Sequence, residues 1–230
     1  YPADKIEISG NAKYALRQKI AIHQTETNVE DAATHQYRRL LNINEDRPVL
    51  VAGSTHTGEE TLLVKMHAEL SVTIPDLILI IAPRHLERLA QIRKTLDSIH
   101  IRHQTLTEIQ SLTKRHASII IVDNMGELRR MYSLATYIFC GGSLVDKGGH
   151  NIMEPAILGH APIYGPHMSD FLDAVTLLEN QGAGFMVKNA MELKELLVTF
   201  TEKPEKLQIA NNKARTTAYA QHDSASKQIN

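Results

Sequence analysis

The sequence predicts an α/β fold, a Rossmann-like parallel sheet with helices on both faces. Short apolar runs alternate with stretches of helical spacing along most of the 230 residues, the pattern of consecutive βα units. The run Leu77 to Ala82 is almost wholly apolar, as expected of a strand covered on both faces. Glycines, hydroxyls and ionisable residues also gather just after the expected strands, where open parallel sheets bind their ligands.

Taken in order, Ile6 to Asn11 reads as a short strand ending in a turn. Residues 13–42 read as a linker and a helix, interrupted at Thr27-Asn28 and at Thr34. Val49 to Gly53, behind Pro48, is a strand. Glu59 to Leu70 has helical spacing, with Leu62, Leu63, Met66 and Leu70 on one face. Leu77 to Ala82 is a strand, His85 to Leu96 a helix, Ile101 to Thr105 a weaker strand and Ser118 to Val122 a buried one. Gly126 to Leu134 is a short helix, and Tyr137 to Gly141 a strand running into glycines. A helix over Asn151 to Leu158, a strand over Pro162 to Tyr164, a helix over Ser169 to Asn180 and a strand over Phe185 to Val187 follow. Helices from Ala190, broken at Pro204, close the chain, and the polar stretch from Asp223 reads as a frayed end. Right-handed crossovers set the helices on both faces of the sheet. The organisation read here is a leading segment over 1–45, a main domain over 46–215 and a tail helix over 216–230.

Composition narrows the function. With 25 basic against 26 acidic residues, the chain is not built to bind nucleic acid by bulk charge, and 5% aromatics without tryptophan make a poor base-stacking platform. A single cysteine, Cys140, excludes an internal disulfide framework and a cysteine-rich metal site. The histidines lack the spacings of a dedicated zinc site, so no metal is expected. No run reaches the roughly 20 apolar residues of a membrane helix. The first residue is Tyr1 rather than methionine, which suggests a chain cut from a longer one.

The most informative stretch runs from Gly141 to Glu154. Gly141, Gly142 and Ser143 let backbone approach a ligand closely, and Gly148-Gly149 lead into a helix start that favours phosphate. Asn151 can cap that helix, and Glu154 in its first turn can accept hydrogen bonds from vicinal hydroxyls such as those of a ribose. A purely structural reading makes these glycines turns and Glu154 a dipole partner. Arg84, behind Pro83, can clamp a phosphate, or can simply pair with Glu87 on the following helix. Ser54, Thr55 and His56 offer hydroxyl and imidazole donors, while Thr57 with Glu60 fits a capping box. Cys140 reads as a small buried hydrophobe.

Together the motifs resemble one family. The runs are Ser54-Thr55-His56-x-Gly58-Glu59-Glu60, Pro83-Arg84-His85-x-Glu87-Arg88, Met125-Gly126-Glu127-Leu128, Gly141-Gly142-Ser143, Gly148-Gly149-His150-Asn151-x-x-Glu154-Pro155 and Gly165-Pro166-His167. In order and spacing they resemble the 3-deoxy-D-manno-octulosonic acid (Kdo) transferases of lipopolysaccharide synthesis. Ile8-Ser9-Gly10-Asn11-x-Lys13 resembles the segment where that family's chain crosses between its domains.

The resemblance implies a GT-B glycosyltransferase, of which this chain is the carboxy-terminal half. That half binds the donor CMP-Kdo, which is a substrate; no cofactor is implied. Glu154 would hold the ribose hydroxyls, and Pro83 and Arg84 would contact the CMP moiety. Met125, Gly126 and Leu128 would line the nucleotide pocket. Gly142 would belong to the same pocket, and Ser143, His150 and Asn151 would meet the phosphate or the sugar carboxylate. Ser54, Thr55 and His56 are further candidate contacts to sugar or phosphate. The catalytic base and the site for the lipid A precursor would belong to the amino-terminal domain, so no catalytic residue is expected here and the chain alone would transfer nothing. The full-length protein would sit at the cytoplasmic face of the bacterial inner membrane. Two other readings stay open: another GT-B nucleotide-sugar enzyme, sialyltransferase- or epimerase-like, and a non-catalytic nucleotide-binding module.

Overall fold

A computed structural model describes residues 32, 34–112 and 114–226. The expected strand at Ile6 to Asn11 and most of the expected 13–42 helix lie outside the described residues. Residues 34–40 form a helix, α1. Then come β1 (Val49–Thr55), α2 (Glu59–Leu70), β2 (Ile78–Pro83), a 3₁₀ turn (Leu86–Arg88), α3 (Leu89–Ser98), β3 (His103–Thr105), α4 (Leu106–Leu112) and β4 (Ile119–Ile121). The second half runs α5 (Leu128–Leu134), β5 (Tyr137–Cys140), α6 (Met153–Ile157), β6 (Pro162–Tyr164), a 3₁₀ turn (Ser169–Phe171), α7 (Leu172–Asn180), β7 (Phe185–Met186), α8 (Ala190–Glu202) and α9 (Pro204–Ser226).

The strands form one seven-stranded sheet in the order β3-β4-β2-β1-β5-β6-β7. Every pairing is parallel. Side chains alternate between the two faces, as strand pleating requires. Val49, Val51, Ile78, Ile80, Ile120 and Ile138 point into one apolar layer with residues of α4, α5, α6, α7 and α9. Leu50, Ala52, Leu79, Ile81, Ile121 and Phe139 point into the other with residues of α2, α3 and α8. Helices therefore cover both faces, and the central strands have no polar side to show. From β1 the chain moves one way to β2, and from β4 it crosses to β5 on the other side of β1. The carboxyl ends of β1 and β5 thus form a switch point, the place where such sheets bind ligands.

Three expectations are corrected by the structure, which also adds a helix that spacing did not predict. Leu62 is 41% exposed, and the buried face of α2 uses Leu63, Val64, Met66 and Leu70. Helix α4 follows β3 without any intervening turn residue, which is why spacing alone gave no sign of it. The leading boundary at 45 falls within packed structure for the residues described just before it: Leu41 and Ile43 are buried in the core, and buried Arg115 donates to the carbonyls of Leu41, Asn42 and Ala117. The tail boundary at 216 fails as well. Helix α9 is continuous through it, and Ala210, Ala214 and Ala218, spaced four apart, bury one face of it against the domain.

Candidate functional site at the switch point

The loops after β1 and β5 are pressed together. The β1–β2 register shifts between Gly53 and Thr55, and Ser54 in between has a left-handed φ of 55°. A Cβ on Gly141 would stand 2.6 Å from the Ser54 carbonyl oxygen, so only glycine lets the two loops touch.

Glu59 fastens this contact. It opens α2, it is 0% exposed, and its carboxylate accepts four backbone N–H bonds. The donors are His56 (2.9 Å), Gly142 (2.8 Å), Ser143 (3.1 Å) and Leu144 (3.0 Å). Burial pushes its carboxyl up and the four N–H groups pull it down. Beside it Glu60 accepts a hydroxyl bond from Thr55 and a two-pronged bond from Arg88, at 3.0 and 3.2 Å. The expected Thr57–Glu60 capping box does not form: the N-cap is Gly58, and Glu59 and Glu60 serve the loops instead.

Three imidazoles stand on this base. The Nε2 atoms of His56 and His150 lie 2.8 Å apart, with 5.1 Å between ring centroids and 13° between planes, so the two rings meet edge to edge and nearly coplanar. His85 meets His56 edge-on at 5.5 Å. Gly142, with a left-handed φ of 68°, lies under the pair, and a Cβ there would come within 3.1 Å of His150 and 3.2 Å of His56. Burial, then His56, Arg84 and His85, hold His150 down to about 4. His56 is lowered too, by burial and by His85, Arg88 and Lys147. The surroundings are cationic while both rings are held neutral, an environment that favours an anion.

The remaining expected residues lie around this cluster or along the same sheet edge. Pro83 is buried at the end of β2. Arg84 is exposed, its amide donates to the Thr55 carbonyl at 3.0 Å, and its guanidinium has no ion pair among the described residues. The expected Glu87 pairing belongs to His85, at 3.2 Å. Met125 is 74% exposed, Gly126 has open space where a Cβ would stand, and Leu128 is half-buried at the start of α5. Glu154 is half-buried in the first turn of α6 and accepts no hydrogen bond among the described residues. Burial raises its carboxyl, and Arg129 draws it back. Asn151 accepts the Met153 N–H at 3.0 Å, which takes up one of the free donors at the helix start, and α6 is only five residues long. A phosphate site made by that helix end is therefore weaker than the glycines suggested.

Two expected contacts do not suit the structure. Ser143 is 0% exposed; its hydroxyl donates to the Cys140 carbonyl at 2.5 Å and accepts from the Gly165 amide at 2.8 Å. Thr55 is likewise 0% exposed and spends its hydroxyl on Glu60. Both hold the loops rather than face the cleft. Ser54 is only half-buried. Sequence reasoning undervalued Glu59 and His85; adjacent acids right behind a glycine, and a histidine right behind Pro83-Arg84, were the available signals. Among the described residues, no three His, Cys, Asp or Glu side chains are grouped to hold a metal ion.

Comparison with known proteins gives the arrangement a context. No family model matches the chain. It is 35% identical over 187 residues to a 3-deoxy-D-manno-octulosonic acid transferase of Haemophilus influenzae, covering 79% of this chain and 40% of that protein. It is similar to the crystal structure of the C-terminal CMP-Kdo binding domain of WaaA from Acinetobacter baumannii, with 26% identity and a TM-score of 0.72, over 85% of this chain and 98% of that one. A UDP-GlcNAc 2-epimerase from Neisseria meningitidis shares the fold at 16% identity and a TM-score of 0.60, over 100% of this chain and 55% of that one. The chain spans 29%, 40% and 58% of the length of three curated relatives it matches.

Proposed function

From this resemblance to the Kdo transferases and to a CMP-Kdo binding domain, we propose that the chain is the donor-binding part of a Kdo transferase. The observation that carries the reading is the cluster of His56, His85 and His150 at the switch point, with the Arg84 cation beside it, on the same sheet edge as a half-buried Glu154 that accepts no hydrogen bond among the described residues. Such a set fits a ligand that joins negative charge to vicinal hydroxyls. In this reading Glu154 accepts the ribose hydroxyls, and Arg84 and the imidazoles face the phosphate and the sugar carboxylate. The Met125-Gly126 loop and Leu128 border the base, with Pro83 and Gly142 shaping the floor.

The bond between the anomeric carbon and the phosphate oxygen breaks with its electron pair passing to the phosphate. The phosphate goes from one negative charge to two, and preorganised donors and cations lower the cost of that change. The acceptor hydroxyl forms the new bond and gives its proton to a base. That base, the lipid A precursor site and the association with the cytoplasmic face of the inner membrane are assigned to the amino-terminal domain of the whole protein. Charge neutralisation falls to side chains, so the proposal includes no metal or other cofactor. Among the described residues no helix is long and apolar enough to cross a membrane.

Titration calorimetry with CMP and UDP tests the reading. CMP binding with little heat from UDP is expected, together with no Kdo transfer by the chain alone. The epimerase-like fold favours a second reading, a UDP-sugar enzyme, and a UDP preference would replace the first reading with it.

A further inference from the structure

We propose that His56 and His150 act as one proton-accepting pair, which takes up a proton from solvent when the phosphate of a cytidine nucleotide enters the cleft. The inference rests on the donor-binding reading above and goes beyond it, because it makes binding a protonation event.

Two Nε2 atoms 2.8 Å apart have room for one hydrogen between them. In the neutral pair one ring donates through Nε2–H and its Nδ1 is left as a bare lone pair. The other ring accepts through Nε2 and carries its hydrogen on Nδ1. Neither Nδ1 has a hydrogen-bond partner among the described residues. The neutral pair therefore offers a ligand one donor and one acceptor. A phosphate dianion has only acceptors to offer and is repelled by the lone pair. One added proton, at the bare Nδ1, turns both outward edges into donors and leaves the shared hydrogen in place. Gly142 permits this, since any Cβ there would press on both rings.

The groups around the pair set the balance. His85, Arg84, Arg88 and Lys147 disfavour the extra proton, while Glu60 and Asp170 favour it. In the empty cleft burial first, and then the neighbouring cations, keep the extra proton off. Two negative charges from a phosphate reverse the sum, so the proton and the nucleotide enter together. By linkage, affinity then rises by up to about tenfold for each unit that pH falls, in the range where one whole proton is taken up.

The test is calorimetry of CMP binding between pH 7 and 8.5, in buffers that differ in ionisation enthalpy. The nucleotide phosphate, with a second pKa of about 6, is then already a dianion. The expected result is uptake approaching one proton per CMP at the lower end of the range, and none with cytidine, which lacks the phosphate. His150→Gln, checked for folding by circular dichroism, should bind CMP more weakly and without uptake. CMP binding with no uptake in the unaltered chain would overturn the pair and leave the donor reading standing. Uptake lost in His85→Gln but kept in His150→Gln would also overturn it. Uptake seen with UMP in preference to CMP would support the pair and sink the cytidine reading instead.

Discussion

The carboxylate of Glu59 and the amide of Gly142 are 83 residues apart in sequence and 2.8 Å apart in space. Through that bond and three others, α2 holds the loop that follows β5 against the loop that follows β1. A glutamate in a predicted cleft invites a catalytic role. Here all its lone-pair directions are turned to backbone, and what it provides is shape.

Glu59→Gln should therefore destabilise the fold. The amide would turn an N–H₂ group toward backbone donors that had faced an oxygen, and losing charge-assisted bonds in a buried site costs about 3 kcal/mol. Urea unfolding followed by circular dichroism measures it. A change under about 1 kcal/mol would show that the four bonds are readily replaced.

Glu154→Ala should behave in the opposite way. Its carboxylate stabilises nothing by hydrogen bonding in the described structure, so the melting temperature should hold or rise. Loss of two charge-assisted bonds to ribose hydroxyls should weaken CMP by about 2–3 kcal/mol, roughly 30- to 150-fold. Unchanged CMP affinity would remove Glu154 from the pocket.

Gly142→Ala tests the floor beneath the imidazoles. The left-handed φ of 68° costs an alanine about 1 kcal/mol, and its Cβ would crowd both rings. Modest destabilisation is expected, with a larger loss in CMP binding as the rings separate. Calorimetry and thermal melts on one sample distinguish the two effects.

Stability should fall on mild acidification. His150 and His160 are held down to about 4 in the folded chain, and His56 and His67 are lowered as well, in each case mainly by burial. The unfolded chain binds these protons near pH 6.5, so it gains protons first as pH falls. Their contribution is complete above the unfolded value, is lost between about pH 6.5 and 4, and levels off below. Urea midpoints at pH 7.5 and 5 should show the drop. His160→Gln should shrink it, since His160 Nδ1 is buried without a hydrogen-bond partner among the described residues. Equal midpoints in the unaltered chain would refute the assignment.

Much of the fold was legible from residues because the central strands are covered on both sides, and a run such as Ile78 to Ala82 has no polar position to obscure it. The gathering of site residues at one sheet edge followed from the same alternation. What could not be read was how polar groups would be used. Ser143 beside two glycines looks like a ligand contact, yet a hydroxyl at a strand end can as easily close its own loop, as the Cys140 and Gly165 bonds do. Spacing placed Leu62 with its apolar neighbours on one face of α2, but buried Glu59 and Glu60 turn the helix so that a leucine faces water. The His56–His150 contact joins residues 94 apart, which no local pattern reveals.

Helix α9 packs against α6, the element that carries Glu154, with Ala210, Ala214 and Ala218 allowing the close approach. During synthesis, β1 to β5 can pair while α9 is still inside the ribosome. The sheet can thus form before the turn bearing Glu154 has its backing, and the candidate cleft is the last part of the domain to mature. A nascent chain stalled before Pro204 would present a formed sheet to chaperones with an unfinished binding edge.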